Sequence, residues 1–133
     1  MIAFVDTSAF FALLAGNDQM HGQASRNFTY FAENDVQLVT SSYVLVETLA
    51  LLQNRIGLEA VSDFQLKFLP LLEVIWVDAE WHNRAMQRLL THSKRKLSLV
   101  DCLSFEIMES LDISLAYSFD NHFVEYGFKQ AEY

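Results

Sequence analysis

Ile2-Ala3-Phe4-Val5-Asp6 decides the fold. Four apolar residues run straight into a carboxylate, and Thr7 and Ser8 follow it. A short apolar run with polar borders reads as a buried strand. Asp6-Thr7-Ser8 then reads as the turn and cap that open a helix through Ala9–Leu14. Taken alone, Asp6 is a helix N-cap. Its other role depends on the acids further along the chain.

Working outward, the same unit recurs. Gly16-Asn17-Asp18 is a loop, and helix is predicted over about 19–33, with Gly22 as a weak point. Val36–Thr40 is a second strand. Thr40-Ser41-Ser42 caps a helix from Tyr43 to about Arg55 whose residues are apolar around most of its circumference, which marks a buried element. Glu47 lies in its middle, either on a narrow exposed stripe or buried with a partner or metal. A further helix spans about Leu58–Leu69, with Pro70 at its end. Leu72–Val77 is a nearly continuous β-rich run, as in a strand covered on both faces. Asp78 caps a helix to His92, and Ser93–Leu97 is a basic loop. Ser98-Leu99-Val100-Asp101 has capping-box spacing and opens the next helix. Ser114–Phe119 is a fourth strand that again ends in a carboxylate, Asp120, with Asn121-His122 as a loop and a short edge strand at about 126–130.

Strands separated by helices imply a largely parallel sheet with helices on its faces. The expectation is therefore an α/β protein, one domain over 1–133, with four to five strands. In such a sheet the binding crevice lies past the carboxyl ends of the strands, where strand order reverses. Asp6 and Asp120 both follow strand ends. The helices bearing Glu47 and Asp101 start at the same edge, with Asp101 in the first turn. At 1.5 Å per residue Glu47 lies about 9 Å down its helix, and helical side chains lean back toward the N-terminus. Four carboxylates are thus expected to converge. Without compensation such a cluster is costly, since two carboxylates about 5 Å apart repel by roughly 3 kcal/mol. The hard cations Mg²⁺ or Mn²⁺ are the natural compensation.

Composition narrows the classes. Of 133 residues 52% are hydrophobic, enough for a real core. No stretch is long and apolar enough for a membrane span, and no signal peptide is evident. The single Cys102 fits a reducing, cytoplasmic setting. The four histidines lack the paired spacing of a zinc site, and His122 reads as a solvated loop residue. Net charge is −8, which argues against non-specific binding of nucleic acid. Five of the nine basic residues nevertheless cluster in Arg84, Arg88, Lys94, Arg95 and Lys96, and could hold flanking phosphates. An aspartyl-phosphate enzyme at Asp6 would want a second Asp two residues on, where Ser8 stands.

Ile2–Ser8 (IAFVDTS), Ser42–Leu49 (SYVLVETL), Ser98–Cys102 (SLVDC) and Ser118–Phe123 (SFDNHF) together resemble the four signatures of PIN-domain ribonucleases, in order and spacing. In size the chain is similar to the VapC toxins of toxin–antitoxin pairs. The resemblance implies a three-layer α/β/α sandwich and Mg²⁺- or Mn²⁺-dependent endoribonuclease activity leaving 5′-phosphate and 3′-hydroxyl ends. It makes Asp6, Glu47, Asp101 and Asp120 the metal-binding acids, with Thr7 and Ser118 in support, Ser118 through water. It also implies an RNA substrate, a small antitoxin and a homodimer. The alternative is a PIN-like module that binds RNA or protein without cutting.

Overall fold

The computed structural model describes residues 1–91 and 97–133. Five strands, β1 (Ile2–Val5), β2 (Gln37–Ser41), β3 (Leu72–Ile75), β4 (Leu115–Tyr117) and β5 (Lys129–Gln130), form one sheet in the order β3-β2-β1-β4-β5. Every pairing is parallel. The predicted parallel sheet is therefore present, and β1 lies at its centre.

The helices follow from the connections. α1 (Thr7–Leu14) and α2 (His21–Glu33) link β1 to β2, and α3 (Ser42–Arg55) and α4 (Leu58–Asp63) lead from β2 toward β3. α5 (Ala79–Thr91) and α6 (Leu99–Ser110) lead back across to β4, and α7 (His122–Glu125) precedes β5. Right-handed crossovers place α1–α4 on one face and α5–α7 on the other. Packing agrees: α1 touches α2 and α3, α3 touches α4, and α5 lies along α6. On the second face Phe105 of α6 meets Phe123 of α7 edge-on at 5.1 Å. On the first, Phe10 of α1 meets Phe64 edge-on at 4.9 Å. The three layers bury a continuous core through Phe4, Leu52, Leu103 and Tyr117.

Local chemistry sets the boundaries. Ser41 Oγ accepts from Val44 N at 3.2 Å and caps α3, as its position implied. Asp78 Oδ1 accepts from Trp81 N at 2.9 Å at the start of α5. α2 begins later than predicted because Asp18 Oδ1 ties up Met20 N in a 2.8 Å turn bond. Gly22 thereby falls in the first turn, where its cost is smaller than in a helix interior.

Four expectations need correction. The helix after Gly57 stops at Asp63 and gives way to a π turn (Phe64–Phe68) and a 3₁₀ turn (Leu69–Leu71), since Pro70 cannot supply a helical N–H. β3 is an edge strand and Trp76 just beyond it is 71% exposed, so its apolar run does not mean cover on both faces. α3 buries only the stripe of Val44, Leu45, Thr48 and Leu52, leaving Val46 and Glu47 exposed. The segment after Asp120 is helical, and β5 is correspondingly short. Gly127, with φ +94°, ends α7 by a turn open to few other residues, which lets Phe128 N reach Phe123 O at 2.9 Å.

Candidate active site

The strand order reverses between β1 and β4, because β1 leads on to β2 while β4 pairs with its other side. Asp6 N donates to Tyr117 O at 3.1 Å, so the β1–β4 ladder continues to the acid itself. Asp120 stands three residues past the end of β4, at the same edge.

Asp6 is almost wholly buried, and its Oδ2 is saturated. Ser8 Oγ donates to it at 3.0 Å and Ser118 Oγ at 3.1 Å. Each hydroxyl has one proton to give, and each accepts from a backbone N–H in turn: Ser8 Oγ from Phe119 N at 2.9 Å, Ser118 Oγ from Asp120 N at 3.0 Å. The two serines thus fasten the acid of β1 to the backbone after β4. Among the described residues no hydrogen bond reaches Asp6 Oδ1. Ser118 reaches Asp6 directly. Ser8 was read only as part of a cap; its placement two residues after an acid was the available clue.

Asp101 also serves two masters. It completes the capping box of α6: Asp101 N donates to Ser98 Oγ at 3.1 Å, and Ser98 N donates to Asp101 Oδ2 at 3.3 Å. That box fixes the carboxylate at the helix start, facing Asp120 and His122. Ligand atoms of Asp101, Asp120 and His122 all lie within 4.8 Å of one another. His122 opens α7, where its N–H donates to Asp120 Oδ1 at 2.9 Å. Its ring is three-quarters buried against the acids, which corrects its reading as a solvated loop residue.

Burial pushes the Asp6 carboxyl up to about 6, and the charge on Asp101 adds to the push against the two serine hydroxyls. Asp101 is also raised above the ordinary carboxylate range, chiefly by burial; the Ser98 backbone bond opposes this and the charge on Asp120 reinforces it. Two acids raised by desolvation and by a neighbouring carboxylate charge, at a topological switch point, make this the candidate functional site. Carboxylate charges about 5 Å apart cost roughly 3 kcal/mol at an effective dielectric of about 20, and a divalent cation would remove that cost. The oxygen-rich donor set and the free side of Asp6 fit such an ion.

Glu47, Thr7, Arg84 and Arg88 are the remaining predicted residues among those described. Glu47 is exposed on α3, so no buried charge needs explaining there. Thr7 braces the helix that carries it: Thr48 Oγ1 donates to Thr7 Oγ1 at 3.1 Å, and Thr7 Oγ1 donates to Val44 O at 3.4 Å. Arg84 and Arg88 point at α6, away from the acids gathered above. Arg84 meets Glu106 at 3.2 Å, and Arg88 meets Glu106 at 3.1 Å and also pairs with Glu109. Lys94, Arg95 and Lys96 lie outside the described residues.

The double role of Asp101 can be separated by substitution. Asp101→Asn keeps a side-chain oxygen for the Ser98 N–H and should leave the thermal midpoint of the metal-free protein nearly unchanged. Asp101→Ala loses that bond and should cost about 1 kcal/mol, a few degrees in a melting curve. Equal losses in both variants would show that the charge itself holds α6 in place.

A parallel five-stranded sheet between helical layers, with acids gathered at its switch point, defines the class. The chain belongs to the PIN-domain family, whose model matches residues 3–129. Within it, the chain is 36% identical over 126 residues, 94% of either sequence, to the 23S rRNA-specific endonuclease VapC20 of Mycobacterium tuberculosis. The crystal structure of that protein, described as a Sarcin-Ricin loop cleaving toxin, superposes with a TM-score of 0.88 at 34% identity over the whole of both chains. The structure of VapBC2 from Rickettsia felis, bound to a DNA fragment from its promoter, shares the fold at a TM-score of 0.68 and 18% identity, covering 100% of this chain and 99% of that one. Among the described residues no helix is long and apolar enough to cross a membrane.

Proposed function

We propose that this protein is a divalent-metal-dependent endoribonuclease and the toxin of a toxin–antitoxin pair. One observation carries the reading: Asp101 and Asp120, from separate segments, bring carboxylate oxygens within 4.8 Å of each other, and buried Asp6 at the end of β1 is close enough to feel the charge on Asp101. The reading of a non-cutting module offers no reason to hold mutually repelling acids at that point.

In this reading Asp6 and Asp101 present charge from the crevice floor, Asp120 closes the group, and Glu47 joins from the solvent side of α3. Ser118 and Ser8 position Asp6. A bound Mg²⁺ or Mn²⁺ supplies Lewis-acid activation of water and neutralises charge developing at the scissile phosphate. The carboxylates form no covalent link to the substrate. Similarity to VapC20 makes ribosomal RNA the first substrate to try, and a small antitoxin the expected partner; a homodimer is expected from the family resemblance.

The chain carries −8 overall, so RNA needs a local cationic foothold. Since Arg84 and Arg88 are engaged by Glu106 and Glu109, that role passes to Lys94, Arg95 and Lys96, which precede Asp101 by five to seven residues. The direct test is incubation of the purified protein with ribosomal RNA. Cleavage is expected with Mg²⁺ or Mn²⁺, none in EDTA, and none with Asp120→Ala. RNA binding without cleavage under all these conditions would favour the module reading.

A further inference from the structure

His122 is the residue the acid-cluster account leaves unexplained. Its Nδ1 lies 3.1 Å from Asp120 Oδ1 and 3.5 Å from Asp101 Oδ2. Yet neither approach has hydrogen-bond geometry, and this nitrogen is the one buried side-chain polar atom without a hydrogen-bond partner among the described residues. Two states of the ring could occupy that place. If Nδ1 carries a proton, a buried N–H stands beside two carboxylates and bonds to neither, forfeiting a charge-assisted hydrogen bond of the strong kind. If Nδ1 carries its lone pair, it stands with one carboxylate oxygen from each of Asp101 and Asp120 around a shared space. That arrangement is repulsive unless a cation stands among them. The second state explains both the closeness and the missing bond.

We propose that His122 Nδ1 is a nitrogen ligand of the metal site, acting with Asp101 and Asp120, and that it makes the site prefer Mn²⁺ over Mg²⁺. The inference rests on the metal-nuclease reading above and deepens it. Mg²⁺ takes oxygen ligands in near-ideal octahedra, whereas imidazole is a donor for transition ions. The ring must then hold its proton on Nε2, the tautomer that leaves Nδ1 free. The local chain holds the ring in place: Asp120 Oδ1 accepts from the His122 N–H, and Phe123, the next residue, is fully buried against Phe105. The same stretch therefore delivers an oxygen and a nitrogen donor two residues apart.

The test is pulsed electron paramagnetic resonance of the full-length protein loaded with Mn²⁺ in the absence of RNA, with Mn²⁺ and Mg²⁺ affinities measured by calorimetry. The wild type should show electron spin-echo modulation from a directly bound nitrogen. In His122→Asn that modulation should vanish, and Mn²⁺ affinity should fall about 10- to 100-fold, the range seen when groups supporting a metal site are removed. Mg²⁺ affinity should change far less, so selectivity collapses. His21 and His82 have Nδ1 engaged by Ala12 O and the Tyr43 hydroxyl but keep Nε2 free, so His21→Asn/His82→Asn/His92→Asn is the control and should keep the modulation; its loss there would overturn the inference. Mn²⁺ binding without nitrogen modulation in the wild type overturns the inference and leaves the nuclease reading standing. Modulation that survives in His122→Asn also overturns it. No Mn²⁺ binding at all by the wild type overturns both.

Discussion

Asp6→Asn should abolish RNA cleavage and, in the same protein, raise the thermal midpoint of the metal-free form at pH 7. The activity loss follows from the site: charge stabilisation by a bound metal is worth several kcal/mol, so its loss should slow cleavage on the order of 10³-fold or more. The stability gain follows from burial. Asp6 titrates at about 6 in the fold against an ordinary 3.8, so at neutral pH its charge costs the folded state about 3 kcal/mol. Asparagine removes the charge at nearly the same size. Its carbonyl oxygen can take the Ser8 and Ser118 hydroxyls, its amide can face Asp101, and it remains a good N-cap. A gain of about 1–3 kcal/mol, or several degrees, is expected in differential scanning calorimetry. A loss of stability would mean that the carboxylate is held for the fold rather than for the reaction.

The second large effect is a stability profile inverted from ordinary acid denaturation. Asp6 binds its proton more tightly when folded than when unfolded, so this group destabilises the metal-free protein above pH 6 and does so less as pH falls through 6 toward 4. Asp101, raised in the same direction, adds to the trend. Urea unfolding of the EDTA-treated protein should show the wild type gaining on Asp6→Asn by about 2 kcal/mol between pH 7.5 and pH 4.5. The difference between the two proteins cancels the other titrating groups. Parallel profiles would show that Asp6 has an ordinary carboxylate's proton affinity. A saturating divalent cation should erase the wild type's deficit at pH 7, because it binds only the folded state.

The strand-end acids were legible because apolar runs ending in Asp6 and Asp120 state their own position in a parallel sheet. Asp101 was legible through its capping box, which also fixes which edge of the sheet it serves. Ser8 and His122 were harder, because their roles depend on how closely two loops approach, and spacing in sequence carries no such distance. Both stand two residues after an acid, the spacing at which a side chain folds back on its neighbour. α3 misled through composition. α3 holds many apolar residues, but Val46 beside Glu47 is 67% exposed, so counting apolar residues overstated its burial. β3 misled in the same way: its run is as apolar as a central strand's, yet it closes one edge of the sheet.

RNA cut by metal-activated water beside Asp6, Asp101 and Asp120 should carry the chemistry of hydrolysis at its ends. The most direct measurement is the end chemistry of RNA cut by the purified protein, with and without EDTA. The expected products have 5′-phosphate and 3′-hydroxyl ends, formed only with Mg²⁺ or Mn²⁺. Ends bearing a 2′,3′-cyclic phosphate, produced undiminished in EDTA, would contradict it.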